Sequence, residues 1–224
     1  MKILHFSDSH GLHRQLEIPE GIDLIIFSGD ESNHRNPVLN EPESRDFLEW
    51  FAQLKAEHKV MVAGNHSTAI EKRLVTKAEI EKMGICYLEN EEVSIDGLKI
   101  WGSPFSPTFG DWAFMKSRGK LPLLWEQIPK DTDIVVTHTP PMGILDLTYD
   151  LHGQLQFCGC RNLLKQIRRI HPVLHLFGHI HNQKEIYNAG STTLSGSQTI
   201  FSNGCVVTDF KLDSLSSHGN VFNL

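Results

Sequence analysis

The chain has 224 residues, 40% of them apolar, and a formal charge of −6. That length and composition suit one sizeable α/β domain with a full core. The acidic balance disfavours a sequence-independent grip on long nucleic acid, which needs a basic surface, and no run of about twenty apolar residues is present to span a membrane.

The chain starts directly on a strand-like run, Ile3-Leu4-His5-Phe6, with no charged leader before it. A cytoplasmic location is therefore expected. This run leads into Asp8-Ser9-His10. The next apolar run, Leu24 to Phe27, leads into Gly29-Asp30. A polar loop over Glu31–Asn40 should follow, then a helix over Glu43–Glu57 with Phe47, Leu48, Phe51 and Leu54 on one face. A strand at Lys59–Ala63 leads into Gly64-Asn65-His66. Lys77–Met83 reads as a short helix closed by Gly84.

The texture changes near Gly84. Ile85–Leu88, Val93–Ile95 and Leu98–Trp101 are short runs that look like added sheet, with Asp96-Gly97 a hairpin signal. Ile134 to Val136 leads into His138. Leu163, Leu164, Ile167 and Ile170 mark one face of a helix, with Arg161, Lys165, Arg168 and Arg169 mostly on its solvated side. Val173 to Phe177 leads into Gly178-His179-Ile180-His181. Thr192–Leu194, Thr199–Phe201 and Cys205–Phe210 read as further strands, and the last dozen residues as a polar end that frays. No linker or repeat interrupts the chain, so residues 1–224 are read as a single domain. Cys86, Cys158, Cys160 and Cys205 contain no Cys-x-x-Cys pair and are read as free thiols.

Five apolar runs thus end in residues able to hold a metal. Functional groups of α/β sheets gather at such carboxyl ends. Asp8 and Asp30 offer carboxylate oxygen, Asn65 an amide oxygen, and His10, His138, His179 and His181 imidazole nitrogen. Mixed oxygen and nitrogen donors without thiolate suit Mn²⁺, Fe, Zn²⁺ or Co²⁺. Seven donors exceed the needs of one tetrahedral zinc and fit two ions about 3.5–4 Å apart. Such a pair acidifies a shared water and neutralises charge building on a phosphoryl group. Each fragment alone has an ordinary structural explanation; the ordered set carries the reading.

The series Asp-x-His, Gly-Asp, Gly-Asn-His, His, Gly-His-x-His resembles the calcineurin-like metallophosphoesterase superfamily. Thr137-His138-Thr139-Pro140-Pro141, Trp101-Gly102-Ser103-Pro104, Phe109-Gly110-Asp111-Trp112-Ala113-Phe114 and Gly159-Cys160-Arg161 are similar to its metallophosphoesterase-domain-containing branch, related to class III cyclic-nucleotide phosphodiesterases. The resemblance implies a four-layer α/β/β/α sandwich. It implies two divalent ions, manganese first, with iron or zinc as alternatives. Asp8, His10 and His181 would hold one, Asn65, His138 and His179 the other, and Asp30 would bridge. His66 would be the catalytic acid beside the leaving oxygen. The implied activity is phosphodiester hydrolysis by a hydroxide between the ions, with cyclic nucleotides as leading substrates. A phosphomonoesterase and a non-catalytic metal-binding scaffold are the alternatives. The expected partner is a small phosphoester, without membrane; oligomeric state stays open.

One departure is visible. The class III pattern places Asp or Glu directly after Gly-Asn-His, where this chain has Ser67. A hydroxyl can orient His66 but adds no negative charge, so His66 is expected to be less firmly held as an imidazolium. The aromatic stretch Trp101–Phe114 is a candidate wall for a base-binding pocket. Arg161, His152, His34 and Arg35 are candidates for reaching the phosphate from nearby loops.

Overall fold

A computed structural model describes residues 1–208 and 212–224. The first half comprises β1 (Lys2–Phe6), β2 (Leu24–Ser28), α1 (Pro37–Gln53), β3 (His58–Val62), α2 (Thr68–Glu71), α3 (Lys77–Lys82) and β4 (Cys86–Tyr87). Then come β5 (Glu91–Ile95), β6 (Leu98–Ser103), β7 (Ser106–Pro107), β8 (Met115–Lys116), α4 (Leu121–Trp125) and β9 (Ile134–Thr137). The remainder is β10 (Leu147–Tyr149), β11 (Leu155–Phe157), α5 (Arg161–Ile170), β12 (Leu174–Phe177), β13 (Gly190–Thr193), β14 (Ile200–Asn203) and β15 (Asn220–Asn223).

Two sheets carry the architecture, one ordered β15-β1-β2-β3-β4 and the other β13-β14-β12-β9-β6-β5. The central strands β1, β2 and β3 run parallel in the first, and β6, β9, β12 and β14 in the second. Side-chain alternation sets the layers. Along β2, Leu24 and Ile26 point into a core shared with Ile134, Val136, Leu174 and Leu176 of the second sheet. Ile25 and Phe27 point the other way, against Phe47, Phe51 and Ile80 of α1 and α3. Val135 and Phe177 of the second sheet face Leu121, Trp125, Leu163 and Ile167 of α4 and α5. Three cores therefore separate four layers, helix, sheet, sheet, helix, as expected.

Several boundaries differ from the sequence reading. Helix α1 begins at Pro37, not Glu43. The Asn36 side chain accepts from Val38 N at 2.9 Å and Pro37 sits in the first turn, a start that Asn-Pro favours. The runs after Gly84 are not an added sheet. β4 closes the first main sheet and β5 and β6 form the edge of the second. Asp96-Gly97 does make the hairpin, pairing Ile95 with Leu98. The chain end does not fray. β15 pairs antiparallel with β1 along Lys2–His5, and Phe222 enters the inter-sheet core, so the edge of β1 is covered. Of the expected strand Cys205–Phe210, residues 209 and 210 lie outside the described residues; Cys205, Val207 and Thr208 make isolated bridges only.

Candidate functional site

The strand ends place the donors. β1 delivers Asp8, β2 Asp30, β3 Asn65, β9 His138, and β12 His179 and His181. His10 follows on the loop after β1. The structure brings all seven sequence-predicted donors together. His138 Nε2 lies 2.8 Å from Asn65 Oδ1 and 3.2 Å from Asp30 Oδ2. His181 Nε2 lies 3.3 Å from both Asp8 Oδ1 and His10 Nε2. The His179 and His138 rings are 4.9 Å apart. Asp8, His10, Asp30, Asn65 and His138 are buried.

The backbone is unusual where the donors sit. Asp8 (φ 53°), His10 (φ 42°), Asp30 (φ 63°) and His179 (φ 73°) all occupy the left-handed region. For non-glycine residues that costs about 1–3 kcal/mol each, so the surrounding hydrogen bonds must hold them. His179 N donates to the Asp8 carboxylate at 2.9 Å, and His66 N donates to Asp30 Oδ1 at 2.7 Å. Gly64 is required by close approach, because a Cβ there would overlap Asp30 Oδ1 and His138 Cε1. At Gly178 it would overlap Asp8 Oδ2 and Ser7.

Hydrogen bonds to carbonyls set the imidazole tautomers. His138 Nδ1 donates to Ser28 O at 2.9 Å, and His10 Nδ1 to Ser32 O at 3.1 Å. Each leaves Nε2 aimed at the donor cluster, the outer-sphere arrangement usual for metal-binding histidine. His10 Nε2 therefore presents a lone pair toward His181 Nε2 at 3.3 Å. Electrostatics agree. Burial holds His10 and His179 down to about 3, as neutral potential ligands. Burial opposes charge on His138, yet the Asp30 carboxylate lifts it to about 9. Burial also opposes charge on Asp8, but His181 brings it down to about 2. The Asp30 carboxylate thus favours positive charge at His138, which a cation could supply in place of a proton. Ligand atoms within 4.8 Å of one another form the groups Asp30–His138–His179, His10–Asp30–His66 and Asp8–His181–Cys205. Carboxylate, amide and imidazole donors in these three neighbouring groups fit a pair of divalent cations.

Cys205 was missed by the sequence reading, which treated it as one of four free thiols. It is a free thiol, as are the other three, but the chain leaving β14 bridges to Ser7 beside β1 and sets it against Asp8 and His181. Burial pushes its thiol up, so it stays protonated. No sequence motif marks it.

His66 stands at the mouth. Its Nδ1 donates to Asn33 O at 3.1 Å, and its ring lies 4.6 Å from that of His10 and 4.4 Å from that of Trp112. The Ser67 hydroxyl does not bond the His66 ring. The Ser67 hydroxyl is buried and donates to Glu31 Oε2 at 2.5 Å, because the turn points it inward beneath the loop.

A cavity of about 550 Å³ opens over the cluster, lined by Asp30, Asn65, His66, His179 and His181 and walled by Pro107, Phe109, Trp112 and Phe157. Arg118, Thr148, Gln156 and Cys158 complete the wall. Trp101, expected there, is buried in the core beneath α4 and α5. None of Arg161, His152, His34 and Arg35 lines this cavity. His34 pairs with Glu43 at 2.6 Å, and Arg35 pairs with Asp111 while covering the Trp112 ring at 4.9 Å. Arg118 and the hairpin residues of β10 and β11 were not anticipated. Alternating Leu147-Thr148-Tyr149 and Leu155-Gln156-Phe157 around Gly153 was the available signal.

A layered α/β fold whose strand ends converge carboxylates, an amide and imidazoles in this order offers the donors for a pair of divalent cations. The profile of the calcineurin-like phosphoesterase family matches residues 1–183, and the chain belongs to that family. It is 32% identical over 207 residues to a UPF0046 protein of Caenorhabditis elegans, covering 86% of this chain and 68% of that one. It is 33% identical over 211 residues to metallophosphoesterase domain-containing protein 1 of Homo sapiens, covering 84% of this chain and 62% of the human protein. The chain therefore spans about two thirds of these relatives. A solved structure at 15% identity superposes with a TM-score of 0.61 over 90% of this chain and 89% of its own, which supports the fold. Among the described residues, no helix is long and apolar enough to cross a membrane.

Proposed function

We propose that this chain is a phosphodiesterase for small diesters, cyclic nucleotides foremost, working with two divalent cations, manganese first. The observation that carries the reading is the shared opening of the donor cluster and His66 into a cavity of about 550 Å³ walled by Phe109, Trp112 and Phe157. A base or other aryl group finds stacking surface there, while the phosphate reaches the strand ends.

In this reading Asp8, His10 and His181 would hold one ion and Asn65, His138 and His179 the other, with Asp30 contributing to both. When bound, the ions acidify a water at neutral pH and offset charge on the phosphoryl oxygens. The chain supplies the rest. Ser28 and Ser32 carbonyls fix the rings of His138 and His10. His66, whose Nδ1 is committed to Asn33 O, offers an Nε2 proton to the departing ester oxygen as the P–O bond breaks.

The test is metal-stripped protein reloaded with Mn²⁺, Fe²⁺, Zn²⁺ or Mg²⁺. Each form is assayed on 2′,3′- and 3′,5′-cyclic nucleotides, aryl diesters and aryl monoesters. Diester turnover that collapses by about 10³-fold in Asp30→Asn is the expected result. Preference for monoesters would replace this reading with a phosphomonoesterase, and metal binding without hydrolysis would leave a scaffold.

A further inference from the structure

Glu31 follows Asp30 directly, yet its carboxylate is fully buried between α1 and the Gly64–Ser67 turn. It accepts from Ser67 Oγ at 2.5 Å and from Ser44 Oγ at 2.6 Å. Its partners are hydroxyls; among the described residues no Lys, Arg or His forms an ion pair with it. A carboxylate buried without a cation is costly, and apolar packing would serve a core better.

The chemistry of the contact shows what it does. A serine hydroxyl has one proton to give. Spending it on Glu31 turns the Ser67 lone pairs toward Gly64 N, which donates to Ser67 Oγ at 2.9 Å. Ser67 N donates back to Gly64 O at 3.2 Å. These two bonds close the turn that presents Asn65 and His66. Asn40 Nδ2 holds His66 O at 2.8 Å, and Ala113 N holds Asn65 O at 3.0 Å. The Ser44 hydroxyl ties the far side of the carboxylate to α1.

We propose that Glu31 is a positioning residue for His66 and Asn65, acting through the Ser67 hydroxyl. The acid expected after Gly-Asn-His is supplied here from the neighbouring loop. The catalytic consequence rests on the phosphodiesterase reading; the structural consequence does not.

The test compares Glu31→Gln, Ser67→Ala, Ser67→Glu and the exchange variant Glu31→Ser/Ser67→Glu. In metal-free protein, amide exchange at Gly64, Asn65 and His66 is expected to quicken about tenfold in Glu31→Gln and Ser67→Ala, with β9 and β12 amides unmoved. With Mn²⁺ bound, kcat for an alkyl diester is expected to fall about tenfold in Glu31→Gln and less for a p-nitrophenyl diester, with KM changing under twofold. Ser67→Glu, which sets two carboxylates face to face, is expected to be worse than either. The exchange variant should recover to within about threefold of wild type, a large coupling for residues in contact. Unchanged exchange at residues 64–66 overturns the anchoring. Equal losses for both leaving groups, or an exchange variant no better than Ser67→Glu, overturn the positioning role. A wild-type chain that turns over no diester sinks the phosphodiesterase reading, while the amide-exchange result still decides the anchoring.

Discussion

The floor and the mouth of the site are built on opposite principles. The floor, from Asp8 through His138, is buried, sits at the ends of parallel strands and is held by backbone donors. The mouth is carried on the β7–β8 loop and the β10–β11 hairpin, where Phe109 is 56% and Phe157 58% exposed. A rigid floor fixes the chemistry, and an exposed mouth leaves the choice of substrate to side chains that can change without disturbing it.

The sharpest way to break that division is at its boundary. His66 belongs to the floor by its backbone, donating to Asp30, and to the mouth by its tilted ring contact with Trp112. If it protonates the leaving oxygen, His66→Ala should lower kcat about 10²–10⁴-fold for alkyl esters. The loss should be much smaller for p-nitrophenyl esters, whose leaving group needs no proton, with bound metal retained. Steady-state kinetics over a leaving-group series with metal analysis decide it; parallel losses for all leaving groups would remove the acid role.

A smaller effect tests rigidity alone. Gly64→Ala pushes a methyl group against Asp30 and His138, so it should destabilise by about 1–3 kcal/mol and weaken Mn²⁺ binding. Gly119→Ala, near the mouth, meets nothing within 4 Å and should stay within about 0.5 kcal/mol. Urea denaturation of both variants checks the contrast, and equal costs would erase the distinction between the two regions.

The acid response comes from beneath the floor. Burial holds His5 and His175 down to about 3. His175 Nε2 meets Thr137 Oγ1 at 3.0 Å, while its Nδ1 has no partner among the described residues, so a second proton would be buried without an acceptor there. The unfolded chain takes up that proton near pH 6.5 and the folded chain near 3. Stability should therefore be intact above 6.5 and fall as pH drops toward 3, by about 1.4 kcal/mol per pH unit for each such histidine. Denaturant unfolding from pH 7 to 4 with chelator present should show His175→Gln flattening the slope by about one proton. An unchanged slope would mean that His175 is already charged in the fold.

The same division explains how much was legible beforehand. Asp8, Asp30, Asn65, His138 and His179 could be read because each ends an apolar run, and the fold needs those runs to be strands. Cys205 could not, since only the crossing from β14 to the end of β1 brings it to Asp8. Glu31 looked like the first residue of a polar loop, because its burial depends on tertiary contacts with Ser44 of α1 and Ser67 of the next turn. Trp101 and Phe109 have similar local surroundings in the sequence, yet one is core and the other rim. Aromatic content alone does not tell which side of a sheet a residue faces; the register of β6 against β9 does.

The least severe prediction is confined to the mouth. Phe109 lies 5.3 Å from the His179 ring, and Phe157 reaches the cavity from the hairpin. A stacked base is worth about 1–3 kcal/mol, and a half-exposed ring recovers the lower end of that range. Phe157→Ala and Phe109→Ala should each raise KM for a cyclic nucleotide about fivefold and leave kcat unchanged. A diester bearing only methyl groups has no ring to lose and should show no change in either constant. If the methyl ester suffers as much as the nucleotide, the two phenylalanines shape the floor rather than select the substrate. The aromatic walls would then say nothing about the choice of substrate.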